Sequence, residues 1–460
     1  MRRWLPAVSS AAIGTVVIAA LLIYNRRADT DIRSQLYVPK NSRITPEIRL
    51  LQAYVRIDTS NPPGREMAGA RFLADLLEKH GLKAEIIESA PGRANVYARL
   101  KGKRRGEALL LLNHIDVVPA SPAGWFRPPF DAAIALNQLW GRGSLDMKSI
   151  ALCELEGLFE TARRGQPQRD IVFLAVADEE QGGLLGTQWL LQHRPDIFDG
   201  VRYALNEGGI TETRQEKLSY FGVEIGTKMS VNVRLRAPDR AHMQRVRIAL
   251  EPYLTPRDPD RILPEVREYL RDIAPQRVQH SELLEDIDRT IASGKFWLLA
   301  PGYKELTQNV VFVGKVGDGA TMDVNLYNLP DEDPDRRIAW LQTKIAPMGA
   351  TLDAVFSRNG PAPLTSRHTP LFKLIEREVH NEYGPIPVGT EILAASSNDS
   401  RFLRARGVSC YGLWPFPVDF YQSQGIHSTN ERLRIDWYMQ GIAVMKRLIP
   451  AYAFEPAPMT

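Results

Sequence analysis

Residues 108–120 read ALLLLNHIDVVPA, and the change of character along this stretch decides the fold. Positions 108–112 are apolar without alternation, which suits a strand buried on both faces rather than a half-exposed one. Asn113, His114 and Asp116 follow where such a strand leaves its sheet. A second run, IVFLAV at 171–176, has the same form and leads into Asp178, Glu179 and Glu180. Between the two, residues 148–164 carry a helical pattern. Buried strands joined by a helix predict an α/β fold with a mixed sheet covered by helices on both faces.

Working outward, residues 46–58 read as a short helix and Ser60-Asn61-Pro62-Pro63-Gly64 as a loop. Residues 65–80 form a helical pattern with Phe72, Leu73, Leu76 and Leu77 on one face and Gly81 as its stop. Strands are expected at 84–87, 95–100 and 202–205, and a helix at 184–193. After about Phe221 the pattern changes. Residues 227–236 alternate polar and apolar, 243–293 are rich in helix, and 309–313, 321–326 and 350–356 are strand-like around a helix at 330–345. The α/β pattern resumes with helices at 370–382 and 400–406, a strand at 408–412 and a terminal helix at 437–448. The expected organisation is an α/β domain in two parts, 42–221 and 356–460, interrupted by an inserted α+β domain at 222–355 and preceded by a separate segment, 1–41.

That first segment contains LPAVSSAAIGTVVIAALLIY at 5–24, twenty residues without a charge. At about 1.5 Å per residue this spans a hydrocarbon core of about 30 Å. A secretory signal would have a shorter apolar region and a small-residue cleavage site. The stretch is therefore expected to be an uncleaved transmembrane signal anchor. Arg2 and Arg3 precede it and Arg26 and Arg27 follow it, so flanking charge does not set the orientation. The expected arrangement places the folded part outside the cytoplasm. The remaining composition is that of an ordinary folded protein, with 58 basic and 54 acidic residues and a net charge of +4. The basic group at Lys101, Lys103, Arg104 and Arg105 reads as a solvated turn, and no nucleic-acid partner is expected. Cys153 and Cys410 form neither a disulfide framework nor a CxxC motif.

Acids and histidines concentrate in five segments: HIDVVPA (114–120), GRGSLDMK (141–148), ADEEQGG (177–183), NEGG (206–209) and GIHSTNE (425–431). Each follows a strand-like run or contains a glycine turn, and ligand sites of open α/β sheets gather at such junctions. His114 can ligate a metal while Asp116 orients its ring. Asp146 can bridge two cations. Of the adjacent acids Glu179 and Glu180, one can bind metal while the other takes a proton from water. Singly, each segment has an ordinary explanation: a helix N-cap for Asp146, a solvated turn for 178–180, an exposed side chain for His427. Their joint occurrence in one order is what points to a site.

Together the five segments resemble the signature segments of the dizinc metallopeptidases that include aminoacylase, carboxypeptidase S, glutamate carboxypeptidase and related dipeptidases. The resemblance covers most of residues 45–450, and NDSRF from Asn398 also fits it. The long helical insert is most similar to the carboxypeptidase S and N-acyl-amino-acid hydrolase branch. The resemblance implies that 42–221 and 356–460 form a zinc-binding catalytic domain and that the insert is a lid of the dimerisation type. One zinc would take His114, Glu207 and Asp146, and the other Glu180, His427 and the same Asp146. Glu179 would be the base and Asp116 the partner of His114. His242 would be the lid histidine that assists catalysis, often across a homodimer, although it lacks the usual Gly-His-small-residue pattern. Arg401, with Asn309 second to it, is the candidate for holding a substrate carboxylate. Asn206 stands where related sequences usually carry Asp. Three ligand carboxylates and one hydroxide balance two Zn²⁺, and the N and O donors also suit cobalt or manganese. The expected activity is hydrolysis of an amide bond next to a free carboxylate, in a small peptide or an N-acyl amino acid. A catalytically silent binding protein on the same fold and a two-metal phosphoesterase are the competing classes.

Overall fold

The computed structural model describes residues 43–455 apart from 215–216, 278–280, 394–396 and 419. The apolar stretch 5–24 therefore lies outside the described residues. Among the described ones, no helix is long and apolar enough to cross a membrane.

Two sheets organise the chain. Their main strands are β1 (Ala84–Ala90), β2 (Arg93–Leu100), β3 (Ala108–His114), β4 (Ile171–Val176), β5 (Val201–Asn206), β6 (Lys217–Thr227), β7 (Met229–Arg236), β8 (Val310–Val313), β9 (Thr321–Asn328), β10 (Thr351–Arg358), β11 (Val388–Leu393) and β12 (Ser409–Gly412). The larger sheet has the order β1-β2-β4-β3-β5-β12-β6-β11. It is mixed: β3 pairs in parallel with β4 and β5, whereas β2 pairs antiparallel with both β1 and β4.

The order of these strands creates the site. From β3 the chain passes through the helix Lys148–Arg163 and returns as β4 on one side. From β4 it passes through the helix Thr187–His193 and returns as β5 on the other side of β3. Connections that diverge from a central strand leave a crevice beyond the carboxyl ends of the strands.

Every residue of β3 and β4 is buried. Because strand side chains alternate, Leu109, Leu111 and Phe173 enter one core. Leu110, Leu112 and Leu174 enter the core on the opposite face with Leu190 and Ile197. Each fully buried leucine contributes about 1.5–3 kcal/mol, so these strands are fixed from both sides.

The smaller sheet is antiparallel, in the order β8-β9-β7-β10. Its Val231, Val233, Leu235, Val324 and Leu326 pack on Met243 and Val246 of the helix Arg240–Leu250 and on Leu341 and Ile345 of the helix Pro334–Ile345. Lys228 alone joins β6 to β7. The intervening helices Pro264–Ile273 and Ser281–Glu285 send Val266, Leu270, Leu283 and Leu284 into the larger core.

Two of these main strands of the larger sheet, β6 and β11, are not expected from the sequence pattern. From Tyr220 to Thr227 β6 is buried without alternation and contains two glycines. A Cβ on Gly222 would lie 2.4 Å from the Ile210 carbonyl oxygen, and one on Gly389 of β11 2.2 Å from the Tyr220 hydroxyl. Close approach explains the glycines, which read locally as breakers. The terminal helix, Ile435–Phe454, runs past its expected end and through Pro450. Its last turn is capped by Arg169, whose Nη1 donates to the carbonyls of Tyr452 (2.6 Å) and Glu455 (2.8 Å).

At the end of the helix Ser400–Arg404, the buried guanidinium of Arg404 pairs with Glu224 of β6 through Nη1 and Nη2, both at 2.8 Å, and Nη2 also donates to the Cys410 carbonyl of β12. Removing one partner of such a pair leaves an uncompensated buried charge. Arg404→Ala is expected to lower the unfolding free energy by about 3–5 kcal/mol, read as a fall in the urea midpoint; an unchanged midpoint would mean that this pair does not secure the sheet.

Candidate metal centre

His114 is the last residue of β3, Glu207 follows β5, and Glu179 and Glu180 lie in a short 3-10 turn just after β4. The crevice therefore collects these side chains because the strands end there. Asp146 stands two residues before the helix Lys148–Arg163, and His427 comes from the loop that precedes the terminal helix. The Asp146–Met147 peptide bond is cis.

The donor atoms meet in two groups that share Asp146. His114 Nε2 lies 2.9 Å from Asp146 Oδ1 and 3.7 Å from Glu207 Oε2. His427 Nε2 lies 3.1 Å from Asp146 Oδ2 and 2.9 Å from Glu180 Oε2. Within each group the ligand atoms are all within 4.8 Å of one another. Donors about 2.0–2.1 Å from a tetrahedral ion stand about 3.4 Å apart, so the spacing suits a cation at the centre of each group. Glu180 Oε1 is buried without a hydrogen-bond partner among the described residues. A buried carboxylate oxygen left in that state is costly unless a cation meets it. The donor set thus fits two metal ions bridged by one carboxylate.

Orientation comes from behind. His114 Nδ1 contacts the Asp116 carbonyl oxygen at 2.8 Å, which fixes the ring and leaves Nε2 for the site. The Asp116 carboxylate accepts from the Glu179 and Glu180 backbone N–H groups, each at 3.2 Å, and from Asn61 Nδ2 at 2.9 Å. Glu431 is fully buried and holds the Asp146 loop. Its oxygens accept from Arg142 Nη1 (2.6 Å) and from the N–H groups of Gly143 (3.0 Å), Leu145 (2.7 Å) and Asp146 (3.2 Å). Sequence reading assigned no role to Asn61 or Glu431. Asn61 lay in a stretch that signalled only a loop, while Glu431 closed the GIHSTNE segment and was the more findable of the two.

Other expected site residues lie further from this centre or are already engaged. Arg401 is buried beside the 3-10 turn, and its Nη2 donates to the Gly182 carbonyl at 2.8 Å. Asn309 accepts from Leu329 N–H at 2.9 Å. His242 sits in the first turn of the helix Arg240–Leu250, its Nδ1 2.8 Å from Asp239 Oδ1. Asn206 donates to Ser400 Oγ at 3.1 Å, and Asn398 donates to the Glu207 carbonyl at 3.0 Å. No hydrogen bond or ion pair engages the Glu179 carboxylate among the described residues.

The electrostatics follow from crowded acids. Burial, then the neighbouring Glu207, pushes the Glu179 carboxyl well above its usual range. Burial lifts Asp116 to about 7, and burial with nearby Asp146 lifts Glu207 to about 8. Burial also opposes ionisation of Asp146, but hydrogen bonds from His114 and His427 outweigh it and hold that carboxyl well below its usual range. Hydrogen bonds to Asp146 and Glu180 push His427 up to about 11, and Glu207 and Asp146 raise His114 despite its burial.

Residues 110–451, which contain every one of these candidate ligands, match the peptidase family M20/M25/M40. The chain belongs to this family. As a family member it is a hydrolase acting on amide bonds. It is 27% identical over 430 residues to aminoacylase-1 of Homo sapiens, covering 90% of this chain and 96% of that one. Its fold is similar to an M20 family metallo-carboxypeptidase of Sulfolobus solfataricus, with a TM-score of 0.68, 18% identity and coverage of 89% and 99%. It is also similar to human carnosine dipeptidase 1, with a TM-score of 0.64, 15% identity and coverage of 88% and 96%.

The raised histidines set a sign for metal uptake. A histidine whose folded pKa exceeds the ordinary value holds its proton at neutral pH, and a metal ligand must be unprotonated. Metal binding near pH 7 is therefore expected to release protons and to weaken as pH falls. Calorimetric titration of the metal-free protein in two buffers of different ionisation enthalpy measures the release; a value of zero would contradict this electrostatic account.

Proposed function

We propose that this chain is a two-zinc hydrolase that cleaves a peptide or N-acyl amide bond next to a free carboxylate. The observation that carries the reading is the shared Asp146 carboxylate, with one oxygen toward His114 and the other toward His427, beside an unengaged Glu179. His114, Asp146 and Glu207 would hold one zinc, and Asp146, Glu180 and His427 the other. Cobalt or manganese suits the same donors. When bound, such ions polarise a scissile carbonyl and lower the pKa of attacking water.

The residues of the chain supply the rest. Glu179 accepts the proton of the attacking water and returns it to the leaving amine nitrogen. Asp116 holds Glu179 by its backbone N–H and keeps the His114 ring in place through its own carbonyl. Arg401 is the proposed anchor of the substrate carboxylate: its buried Nε has no acceptor among the described residues. Asn309 would add a contact from the insert when the smaller sheet closes over the crevice. His242 would stabilise the tetrahedral oxyanion from a second copy of the chain, which makes dimerisation through the smaller sheet part of the reading. Anchoring by residues 5–24, with the hydrolase outside the cytoplasm, completes it.

Similarity to an aminoacylase and to peptidases supports both N-acyl amino acids and small peptides as substrates. A panel of N-acetyl amino acids and dipeptides, supplied to the zinc-loaded protein, separates the two. Glu179→Ala is expected to lower kcat by about 10²–10⁴-fold while elemental analysis still finds both metals. Retention of most activity would remove Glu179 from the chemistry. Phosphate release from phosphoesters without amide cleavage would overturn the reaction class. Arg401→Lys keeps the charge but loses the planar fork, so it is expected to raise KM about tenfold or more; an unchanged KM would place the carboxylate elsewhere.

A further inference from the structure

The turn that carries Glu179 and Glu180 is only three residues of 3-10 helix, and Asp178 before it is left-handed, with φ of 69°. Aspartate is one of the few residues besides glycine that adopts left-handed backbone, and here its carboxylate is also held from outside the turn. That support begins at Arg93, the first residue of β2. Arg93 donates to Glu66 through Nε (2.9 Å) and Nη2 (2.7 Å), and the same Nη2 donates to Asp178 Oδ1 at 2.7 Å. Asn61 Nδ2 then bridges Asp178 Oδ1 (3.1 Å) and Asp116 Oδ2 (2.9 Å). Asp178 Oδ2 accepts from Leu185 N–H at 3.1 Å, beyond the turn. Asp116 in turn receives the N–H groups of Glu179 and Glu180.

This assembly is built and enclosed. Glu66 is fully buried, and the side chains of Asp178 and Arg93 are only 8% and 13% exposed. The loop at 60–64 closes over the guanidinium: a Cβ on Gly64, where φ is +88°, would lie 2.3 Å from Arg93 Nε. The charges require a cation there. Glu66 and Asp178 share one guanidinium nitrogen, and Asp178 and Asp116 share one amide nitrogen. Without Arg93, three buried carboxylates would repel one another around a neutral asparagine.

We propose that Arg93 is a positioning residue which, through Asp178 and Asn61, fixes the base Glu179 and the ligand Glu180. The inference rests on the roles given to those two glutamates under the proposed function. It also distinguishes the two cations. His114 is held by the Asp116 carbonyl and Asp146 by Glu431. Only the group of Asp146, Glu180 and His427 takes a ligand from the turn that Arg93 supports.

The test uses the zinc-loaded full chain with Arg93→Gln, Arg93→Lys and, as a control, Arg99→Gln. Arg99 lies on the same strand but pairs with Asp170 at 3.3 Å. Zinc retained under graded chelator is read by elemental analysis, and kcat and KM on the best substrate of the amide panel. For Arg93→Gln, one zinc of the two is expected to leave at a chelator level that strips neither from the wild type. Its kcat should fall about 10–100-fold with KM changed less than about twofold. Arg93→Lys should recover part of both losses, and Arg99→Gln should match the wild type. Wild-type zinc retention and kcat in Arg93→Gln would overturn the proposal, as would the same losses in Arg99→Gln. If Arg93→Gln does not fold, Arg93→Lys is read alone: intermediate zinc retention supports the proposal and wild-type retention overturns it. A wild type that holds two zinc ions but cleaves no amide would defeat the proposed function while leaving the zinc comparison intact.

Discussion

The Asp146 carboxylate is the interaction on which the centre depends, because one side chain presents an oxygen to each group of donors. A bridging ligand has to be held more tightly than an ordinary one, since a small displacement disturbs both groups. Yet Asp146 lies outside any strand or helix. Its immobility comes from Glu431, which gathers the Arg142 guanidinium and three backbone N–H groups of the loop around one buried carboxylate. The loop is thereby tied to the segment that carries His427. Asp146 and the segment that carries His427 are positioned by the same contact, although the two residues lie 281 positions apart in the chain.

The centre is also a problem of charge. Asp116, Asp146, Asp178, Glu179, Glu180 and Glu207 converge on one crevice, and burying so many carboxylates is unfavourable unless cations meet them. The structure divides them between two remedies. Asp146, Glu180 and Glu207 face imidazoles and the places where metal fits. Asp116 and Asp178 face backwards, toward Asn61, Arg93 and backbone N–H groups. Glu179 receives neither remedy, and burial with the neighbouring acids raises its carboxyl, which is what the proton carrier of the proposed function requires. Its high proton affinity is a consequence of how the other acids are satisfied.

These two requirements explain what the sequence disclosed. The buried runs at 108–112 and 171–176 could be read because parallel strands covered on both faces suppress the usual alternation. The five candidate ligands stood out in the sequence because each belongs to a short segment next to such a run or to a glycine turn. The same lack of alternation concealed β6, where glycines serve close packing, and β11, which begins directly after Pro387. Arg93 gave no signal at all, since a lone arginine at the start of a strand has no local pattern. Its role arises only when the 60–64 loop and the turn after β4 come together on it. Residues that bear chemistry cluster in sequence, whereas residues that brace them are recruited from wherever the fold passes.

The same distinction separates the reaction from its substrate. All five candidate ligands and Glu179 stand on the larger sheet and its loops, whose strands are packed from both sides. The smaller sheet joins this body over a narrow region. Lys228, the single residue between β6 and β7, is buried, and its amine donates to the carbonyls of Glu305 (2.8 Å) and Gln308 (2.7 Å), just before β8. The return path lies close by, where Asn359 N–H meets the Ser230 carbonyl at 3.1 Å and Thr365 N–H meets the Ile225 carbonyl at 2.8 Å. The entry, the start of β8 and the exit of the smaller sheet are thus pinned to one another. A layer tethered at one place can turn about that place without disturbing the packing of either sheet. Asn309 lies in this junction, held by Asp260 and by Leu329. In the proposed function, turning there would move the smaller sheet relative to the crevice while the donor atoms around Asp146 stay fixed, so that substrate fit could vary without altering the chemistry.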